Sequence, residues 1–589
     1  MKFIYPQRIL LKFQVYRQIA YSYSTLTSQS EQKNTADIGI ETNHVSNNLA
    51  YSHGPSLIPL LGETIGENLR KTVEKYSSND ALIAFSSNYK LTYQQLWDQI
   101  TRLSKGLIHM GIRKGDRVGM WSPNRFEWII VQFATARIGA ILVNINPSYR
   151  IHELEYVLNH AQVKLIIAAK HFKTSDYEQL LYTVHPNCLS LEKIIIIEND
   201  WHHLMTCGIT TISDRELDEI EAKLQFDDPI NIQYTSGTTG KPKGVTLSHH
   251  NLLNNAYFGA KRLRYTANDR ICVPVPFYHC FGMIIGNLAS ATCGACIVIP
   301  SEAFDPEQVM KCVSQEKCTS LYGVPTMFIA QLDHPNFKKY DFNSLRTGVM
   351  AGTICPVETM KQVQQQMNMK EVGICYGMTE TSPVSVQTFH DDSLEKRVTT
   401  VGKAFDHVEI KIVNPNTNET VRRNETGELL TRGYHVMLGY WNDRSATEKT
   451  IDQARWLKTG DSAIMDDEGY IRIVGRIKDL IIRGGENIYP IEIENFLYRH
   501  PAVSDVQIIG IPSRKYGEEV MAWVRLKSEV GEISDKDLIE FCSNQISHYK
   551  IPKYWKFVQD FPQTISGKIR KVEMREISIQ ELNLKNEKN

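Results

Sequence analysis

The chain lacks an excess of charge of either sign. Lysine and arginine number 66 of its 589 residues, and aspartate and glutamate also number 66, so the formal net charge is zero. A neutral chain has no overall field that would gather nucleic acid or an anionic membrane surface, and we expect no nucleic-acid partner. With 42% hydrophobic residues, a chain of this length should form one large domain and at least one smaller domain.

Cysteine is too scattered for a disulfide framework. The 11 cysteines are spread along the chain, as is typical of proteins in a reducing compartment. Cys293 and Cys296 form a Cys-x-x-Cys pair, but no second pair follows at the spacing of a zinc site. Because the pair lies in an apolar stretch rich in alanine and glycine, we expect two buried thiols and no metal at this pair.

Acidic residues are missing from the N-terminal segment. Four basic residues precede the first acidic residue, Glu31, namely Lys2, Arg8, Lys12 and Arg17. A cationic, acid-free segment of this kind is typical of a mitochondrial presequence. We therefore expect residues 1–30 to be a mitochondrial targeting segment, residues 31–60 to be a polar linker, and the protein to lie in the mitochondrial matrix. A disordered basic tail without a targeting role is the alternative.

The chain also lacks an uninterrupted apolar run of transmembrane length. The stretch from Ile271 to Ser301 contains no acid, lysine or arginine and is long enough to span a bilayer. Prolines, glycines and polar residues interrupt it, however, so a loop, a core helix and a buried strand explain it better. We expect no transmembrane helix.

Strand-like and helix-like segments alternate in the first part of the chain. Strands are predicted at 116–121, 140–145 and 164–168, and helices at 124–139 and 152–160. This alternation is typical of α/β folds, in which helices connect the strands of a mainly parallel sheet.

A second region begins near residue 400. Its predicted strands at 409–413, 427–432 and 470–474 have the alternating polarity of antiparallel strands. Beyond the connector 475–480, helices predicted at 490–499 and 535–546 and strands predicted at 506–511 and 520–526 form a compact α+β unit. We place the domain boundary at Lys478, which gives a large domain at 61–477 and a small domain at 478–589.

The densest chemical signal is the segment Tyr234–Gly244, with the sequence YTSGTTGKPKG. Its glycines let backbone N–H groups approach a ligand closely, and its hydroxyls and lysines add donors and positive charge, which suits a polyphosphate. It does not contain the Gly-x4-Gly-Lys-Ser/Thr pattern of a Walker A loop. A strand is predicted before the loop at 230–234, and a helix from His249.

Four further motifs follow in order. They are YGMTET at 376–381, TGD at 459–461, GRIKD at 475–479 with RGGENIYP at 483–490, and SGK at 566–568. Together with the loop, they resemble the five core motifs of the adenylate-forming (AMP-binding) superfamily, and the chain closely resembles acyl-CoA synthetases of the mitochondrial, medium-chain type. This resemblance implies a large N-terminal α/β domain with mainly parallel sheets and a distorted β-barrel-like part. A small, mobile C-terminal α+β domain is implied to follow it.

The resemblance also implies an activity, that of an ATP-dependent acyl-CoA ligase. Such an enzyme converts a carboxylic acid, here a medium-chain fatty acid, and ATP into an acyl-adenylate and pyrophosphate, and then transfers the acyl group to coenzyme A. ATP, coenzyme A and Mg²⁺ are the expected cofactors, and the partners are small molecules. An aryl- or coumarate-type CoA ligase or another adenylate-forming enzyme is the alternative. A silent acyl or nucleotide binder is disfavoured by the full set of motif residues.

Site residues are carried over by the same resemblance. The implied contacts of the β- and γ-phosphates are Thr235, Ser236, Gly237, Thr238, Thr239, Gly240, Lys241 and Lys243. Tyr376 is expected to stack on one face of the adenine, with Gly352 and Thr353 on the other.

The remaining implied roles concern the reacting groups. Thr379 is expected to bind the α-phosphate, and Glu380 to hold Mg²⁺, which prefers carboxylate oxygens. Asp461 is expected to accept from the ribose hydroxyls, and Arg476 to reach the ribose or the phosphates. Lys568 would bridge the substrate carboxylate and the α-phosphate and so reduce their repulsion.

The substrate side of the site is less well defined by the sequence. The segment Phe277–Met283 contains no acid that could pair with an amino group, which disfavours an amino acid substrate. His279 lies in this segment, and two roles stay open for it: contact with the acid or gating of its pocket, and a satisfied core histidine.

The two half-reactions also imply a motion. Lys568 and the thiol of coenzyme A need the same face of the acyl carbonyl, so one rigid site can hardly serve both. In the family the C-terminal domain rotates about a residue two positions past the motif arginine, which here is Lys478.

Overall fold

The computed structural model describes residues 48–235, 242–352, 355–527, 533–543, 545–564 and 569–584. Contacts divide the chain into two units, Met1–Asn48 and Leu49–Asn589. All of the helices and strands given below belong to the second unit.

The strands are numbered along the chain. The first fourteen are β1 (Tyr51–His53), β2 (Asp80–Ala84), β3 (Tyr89–Thr92), β4 (Arg117–Trp121), β5 (Ile141–Asn144), β6 (Val163–Ala168), β7 (His171–Phe172), β8 (Ser175–Asp176), β9 (Lys193–Ile196), β10 (Pro229–Thr235), β11 (Lys243–Ser248), β12 (Arg270–Cys272), β13 (Cys296–Ile299) and β14 (Ser320–Gly323). The others are β15 (Thr347–Met350), β16 (Glu371–Gly377), β17 (Val384–Gln387), β18 (Lys403–Ala404), β19 (Val408–Val413), β20 (Thr426–Gly433), β21 (Gly439–Tyr440), β22 (Leu457–Met465), β23 (Ile471–Arg476), β24 (Ile481–Arg483), β25 (Glu486–Ile488), β26 (Val503–Ser513), β27 (Gly517–Leu526) and β28 (Tyr554–Phe557).

The α-helices are numbered in the same way. They are α1 (Ile65–Tyr76), α2 (Tyr93–His109), α3 (Phe126–Ile138), α4 (Ile151–His160), α5 (Tyr177–Val184), α6 (Ile197–Thr206), α7 (Asp214–Glu221), α8 (His249–Arg262), α9 (Ala289–Cys293), α10 (Pro306–Glu316), α11 (Pro325–Leu332), α12 (Val357–Gln366), α13 (Leu394–Thr399), α14 (Arg444–Thr450), α15 (Pro490–Leu497), α16 (Asp535–Cys542) and α17 (Lys571–Glu581).

Two large sheets form the centre of the molecule. One has seven strands in the order β21-β11-β10-β5-β4-β6-β9, and the other has nine in the order β18-β17-β16-β15-β14-β12-β13-β2-β3. The strands from β10 to β9 and from β16 to β2 run parallel, whereas the pairs β21–β11, β11–β10, β18–β17, β17–β16 and β2–β3 are antiparallel. The predicted α/β class with mainly parallel sheets is confirmed.

The parallel strands are buried because helices connect and cover them. The inner strands β5 and β14 are buried along their whole length, as is typical of parallel strands that are covered on both faces. The helix α3 is likewise buried almost all round. The predicted strands and helices between residues 116 and 168 are confirmed within a few residues at their ends.

Local sequence signals fix where several helices begin. α8 begins after Ser248, whose Oγ accepts a hydrogen bond from the Asn251 N–H at 3.1 Å, while the Asn251 side chain accepts from the Ser248 N–H at 2.8 Å. Such reciprocal caps satisfy N–H groups that have no partner within the helix. α8 therefore begins at His249, as predicted, although the strand β11 lies between the glycine-rich loop and this helix.

The region expected to be barrel-like is an open antiparallel sheet. Its five strands lie in the order β1-β19-β20-β22-β23. In the described residues β1 and β23 are its two edges and do not pair with each other, so the sheet does not close into a barrel. β1 lies within residues 31–60, the segment predicted to be a linker, and Tyr51 pairs with Lys411 of β19.

The C-terminal part has its own sheet and core. The strands lie in the order β25-β24-β27-β26, and β28 pairs in parallel with β27. Helices α15 and α17 both contact β26, and Ile481, Leu497 and Val506 belong to a core cluster of this part alone. The α+β character predicted beyond Lys478 is confirmed, whereas the mobility of this part stays a prediction.

The long uncharged stretch from Ile271 to Ser301 is folded into the large domain. It contains the end of β12, a buried π-helix at Phe281–Leu288, α9 and β13. Among the described residues, no helix is both long and apolar enough to cross a membrane.

Candidate active site

The glycine-rich loop connects two paired strands. β10 ends at Thr235 and β11 begins at Lys243, and these two residues are directly opposite each other in the antiparallel register. The strand predicted before the loop is therefore confirmed. Six predicted phosphate contacts lie outside the described residues, namely Ser236, Gly237, Thr238, Thr239, Gly240 and Lys241.

Tyr376, Asp461 and Arg476 form a hydrogen-bonded cluster. The Tyr376 hydroxyl donates to Asp461 Oδ2 at 2.6 Å, and Arg476 Nε lies 3.1 Å from Asp461 Oδ1. Three different strands supply them, β16, β22 and β23, and Asp461 faces Arg476 in the register of β22 and β23. The structure thus joins three predicted nucleotide contacts that are far apart in sequence.

The charges of this cluster reinforce one another. The Asp461 carboxylate raises the pKa of Arg476 above its usual value. Burial, and then the charge of Asp461, raises the pKa of Tyr376 well above its usual range. Asp461 is 6% exposed, whereas the Arg476 side chain is 57% exposed. The cluster therefore presents a hydroxyl, a buried carboxylate and an accessible guanidinium to a ligand.

Glu380 lies in a short 3₁₀ turn immediately after β16. Its side chain is buried, and its Oε1 accepts a hydrogen bond from the Tyr440 hydroxyl at 2.8 Å. The backbone is also fixed, because the Met437 N–H donates to the Glu380 carbonyl oxygen at 2.9 Å. In the described residues, the second carboxylate oxygen, Oε2, has no hydrogen-bond partner.

Tyr440 connects Glu380 to the end of the glycine-rich loop. The Lys243 Nζ lies 4.8 Å from the centre of the Tyr440 ring, a distance at which an ammonium group is attracted to an aromatic face. β21 carries Tyr440 and pairs with β11, so Val245 faces Tyr440. One tyrosine therefore contacts both the predicted metal ligand and a predicted phosphate contact.

His279 approaches the same turn from another direction. Its Nδ1 accepts from the Phe281 N–H at 3.2 Å and lies 3.5 Å from the Cys280 Sγ. The Cys280 Sγ in turn lies 3.9 Å from the Thr379 Oγ1. Because Nδ1 is an acceptor, the proton of a neutral His279 is assigned to Nε2.

The predicted adenine-binding loop is partly described. Gly352 follows β15 with a φ of 94°, a conformation that side chains with a Cβ rarely adopt. It follows a parallel strand adjacent to the one that carries Tyr376, so both lie at the carboxyl edge of the same sheet, where ligands bind in open α/β sheets. Thr353 lies outside the described residues.

The predicted hinge and the glycines behind it are also visible. Lys478 is exposed in a 3₁₀ turn, Ile477–Asp479, between β23 and β24. Gly484 and Gly485 form the two-residue turn between β24 and β25, with φ of 60° and 93°, the conformation that such a hairpin requires. Lys568 lies outside the described residues.

Sequence reasoning missed two residues of this site. Tyr440 was passed over because its contact with Glu380 depends on the pairing of β21 with β11. Cys280 adjoins the predicted His279, and only the fold places its sulfur next to Thr379. The only local signal for Tyr440 was its position directly after Gly439 in the segment Gly439–Trp441.

Comparison of the sequence with family models agrees with a fold of two parts and with a site that suits a nucleotide. The model of a family described as AMP-binding enzyme matches residues 69–441, and that of the AMP-binding enzyme C-terminal domain matches residues 492–568. The chain belongs to the family of AMP-binding enzymes.

Relatives within this family carry the names of acyl-CoA synthetases and ligases. YngI of Bacillus subtilis, named as an acyl-CoA synthetase, is 47% identical over 544 residues, which are 89% of this chain and 99% of that protein. The mitochondrial medium-chain acyl-CoA ligase ACSF2 of Danio rerio is 42% identical over 556 residues, with 91% of each chain covered. The crystal structure of the anthranilate CoA ligase AuaEII with anthranoyl-AMP is similar with a TM-score of 0.81 and 25% identity, covering 90% of this chain and 99% of that one.

Proposed function

We propose that this protein, an AMP-forming acyl-CoA ligase, activates medium-chain fatty acids. The observation that supports adenylate formation most directly is the Tyr376–Asp461–Arg476 cluster. Tyr376 of this cluster closely precedes Thr379 and Glu380 in the sequence. These are the groups that an adenylate-forming reaction needs around the ribose and the α-phosphate. The relatives named as medium-chain acyl-CoA ligases support the choice of acid.

The adenosine part of ATP would be held by the Tyr376–Asp461–Arg476 cluster and by the loop that contains Gly352. Tyr376 and Gly352 lie at the carboxyl ends of neighbouring strands, so adenine can stack on the tyrosine ring with Gly352 and Thr353 opposite. Asp461 is anionic and can accept from the ribose hydroxyls, since a carboxylate offers several lone-pair sites. Arg476 is exposed enough to reach the ribose or a phosphate.

The β- and γ-phosphates would lie at the glycine-rich loop. Thr235 and Lys243 hold its two ends opposite each other, and the motif residues between them supply hydroxyls, backbone N–H groups and a second lysine, Lys241. Donors and positive charge of this kind suit a polyphosphate.

Glu380 has the chemistry of a Mg²⁺ ligand. It is a buried carboxylate whose Oε1 accepts from Tyr440 and, within the part of the chain that the structure describes, has no other hydrogen-bond partner; carboxylate oxygens are preferred by this hard cation. When bound, the ion would neutralise charge on the phosphates. Tyr440 would orient the carboxylate, and Lys243 would add a positive charge beside it.

The first half-reaction joins two anions. An oxygen of the fatty acid carboxylate attacks the α-phosphorus, the bond to the bridging oxygen breaks, and pyrophosphate leaves. Thr379 would donate its hydroxyl to an α-phosphate oxygen, and the charge of Lys568 would reduce the repulsion between the carboxylate and this phosphate. Positioning and charge neutralisation account for most of the catalysis in such a transfer.

The second half-reaction transfers the acyl group to sulfur. The thiolate of coenzyme A attacks the acyl carbonyl, and AMP leaves. Lys568 must move away before this attack, and rotation of residues 478–589 about Lys478 would remove it. Lys478 lies in an exposed turn between two sheets that pack separately, and this position suits such a hinge.

The acyl pocket would begin at the segment that contains His279. Phe277, Cys280, Phe281 and Met283 are buried there, and the Phe281 ring stacks on Tyr322 with centroids 5.6 Å apart. An uncharged, apolar lining favours an alkyl chain over an amino acid. In this proposal His279 would contact the carboxyl end of the acid.

The proposed location is the mitochondrial matrix. The acid-free cationic segment at residues 1–30 and the mitochondrial relatives support it, although the relative from Bacillus subtilis is bacterial. A fluorescent protein fused behind residues 1–45 should enter mitochondria. A fusion that stays in the cytosol would contradict this location.

A chain-length series tests the proposed substrate. Acyl-CoA formation should be measured with saturated acids from acetate to palmitate, and with benzoate and coumarate. We expect the highest kcat/KM with acids close to octanoate. A preference for an aromatic acid would overturn the medium-chain assignment and leave the ligase reaction itself intact.

A further inference from the structure

Three cysteines from separate parts of the sequence meet in the core of the large domain. Cys272 is the last residue of β12, Cys312 lies on α10, and Cys318 follows this helix. Their three Sγ atoms lie within 4.8 Å of one another. All three residues are 0% exposed.

The surroundings of this trithiol cluster are apolar. Its members belong to a core that also contains Val309, Leu321 and Phe342. Burial, together with the neighbouring thiols, raises the pKa of Cys272 well above its usual range, whereas hydrogen bonds from Cys272 and Cys318 lower the pKa of Cys312 to about 5. The nearby Glu316 is engaged by Lys90 at 2.9 Å and by Arg270 at 3.4 Å.

The charge of the occupied site decides which ion suits it. Sulfur is a soft donor, and soft ligands disfavour Mg²⁺ and Ca²⁺. Three thiolates around a divalent ion would leave a net negative charge in the apolar core, and a buried charge without a counter-charge is costly. Three thiolates around a trivalent ion form a neutral complex.

We propose that Cys272, Cys312 and Cys318 form a binding site for trivalent arsenic, which reaches the protein as arsenous acid. Three As–O bonds and three S–H bonds break, and three As–S bonds form. The three hydroxyl groups leave with the three thiol protons as three water molecules. No electron is transferred, so the step needs no oxidant or reductant.

The geometry requires little rearrangement. The three sulfurs already lie within 4.8 Å of one another, so they face one common point, and binding of one pyramidal arsenic atom requires only that they move closer together. Entry requires local opening, because the thiols are buried. The end of α10 offers a place for it, since Lys317, between Glu316 and Cys318, has a φ of 51° and a largely exposed side chain.

Occupancy would tie α10 to β12. A ligand that binds the folded protein and not the unfolded chain stabilises the folded state. We therefore expect arsenite to raise the midpoint of thermal unfolding. The groups proposed for ATP binding are not part of this site, so the inference does not depend on the proposed function.

The test uses the full-length protein, reduced and then incubated with arsenite without oxygen. Mass spectrometry should show one added arsenic less three protons, and X-ray absorption should find three sulfur neighbours. Cys312→Ala and Cys318→Ala should each lower the affinity more than tenfold, because loss of even an outer partner of a metal ligand costs about 10–100-fold. Cys188→Ala is the matched control, since Cys188 is buried in a different core cluster.

Three results would overturn the inference. They are fewer than three sulfur neighbours in the wild type, unchanged arsenite affinity in both cluster variants, or tighter binding of Zn²⁺ than of arsenite. The absorption measurement needs no variant, so it decides the question even if an alanine substitution prevents folding.

Discussion

At the scale of single residues, Tyr440 contacts both the predicted Mg²⁺ ligand, Glu380, and a predicted phosphate contact, Lys243. Its hydroxyl holds the Glu380 carboxylate, and its ring lies against Lys243. Burial, and then the charge of Glu380, raises the pKa of Tyr440 above its usual range, so the hydroxyl is a donor at every pH at which the enzyme is studied. Tyr440 is thus a positioning residue for the proposed metal ligand.

Tyr440→Phe should raise the Mg²⁺ concentration needed for half-maximal adenylation by about tenfold. A hydrogen bond to a charged group contributes about 1.5–3 kcal/mol, and 1.4 kcal/mol corresponds to about tenfold. The measurement is the adenylation rate against Mg²⁺ at saturating ATP. Tyr470→Phe is the matched control, because the Tyr470 hydroxyl also donates to a carboxylate, Asp392. Equal Mg²⁺ dependence in the two variants would contradict the role of Tyr440.

His435 should make the fold sensitive to acid. It is fully buried, its Nε2 lies 2.9 Å from Thr431 Oγ1 and 3.1 Å from Ser385 Oγ, and burial lowers its pKa to about 3. In the unfolded chain its pKa is near 6.5. Below that pH the unfolded chain binds a proton that the folded protein rejects, so the free energy of unfolding falls as the pH falls from about 6.5 towards about 3.

His435→Gln should reduce this fall. The slope that one such proton adds is about 1.4 kcal/mol per pH unit, and a glutamine side chain can still form a hydrogen bond with Thr431. Urea unfolding at several pH values measures the slope, with the exposed His202→Gln as the control. An unchanged slope in the His435 variant would show that another group governs the acid response.

At the scale of elements, the proposed rotation of the C-terminal part takes place at the connector between β23 and β24. Lys478 lies in a 3₁₀ turn, where φ is near −60°, close to the φ that proline imposes. A proline at this position fixes φ and therefore resists a large change of φ. The hypothesis concerns the backbone and not the lysine side chain.

Lys478→Pro should form acyl-adenylate and lose most thioester formation. Lys478→Ala should perform both half-reactions, because it removes the side chain and leaves the backbone free. Pyrophosphate exchange measures the first half-reaction, and acyl transfer from supplied acyl-adenylate measures the second. Wild-type acyl-CoA formation by the proline variant would place the hinge elsewhere.

Elements with a strong local pattern could be predicted from the sequence. Apolar runs and helical spacing located β4, α3, β5, α4 and β6 within a few residues, and the helix start at His249 agrees with the Ser248 cap. β11 was missed because the motif read as one loop. β1 was missed because a short strand is specified by its partner, β19, and not by its own sequence.

Contacts between distant segments could not be predicted in the same way. The motifs named Tyr376, Asp461 and Arg476 through the resemblance alone, and only strand pairing shows how they meet. The trithiol cluster was missed for a similar reason: its sulfurs come together where α10 packs beside β12. The adjacent Cys-x-x-Cys pair, which is conspicuous in the sequence, shares only Cys296 with this core.

At the scale of the whole molecule, one site must perform two reactions. The large domain supplies every described residue proposed for ATP, from Thr235 to Arg476, whereas Lys568 comes from the C-terminal part. Lys568 is therefore expected to matter only when that part is placed for adenylation. Its charge opposes the repulsion between carboxylate and phosphate, and the thioester step has no such pair of anions to join.

The most direct measurement is acid-dependent exchange of labelled pyrophosphate into ATP by the wild type and Lys568→Ala, together with acyl transfer from supplied octanoyl-adenylate to coenzyme A. The wild type should exchange only when octanoate is present. Lys568→Ala should lose exchange by at least about a hundredfold, the scale of removing one preorganised charge-stabilising group, and keep acyl transfer close to the wild-type rate. Absence of octanoate-dependent exchange in the wild type would contradict the proposed reaction, and equal loss of both half-reactions in the variant would contradict the role of Lys568.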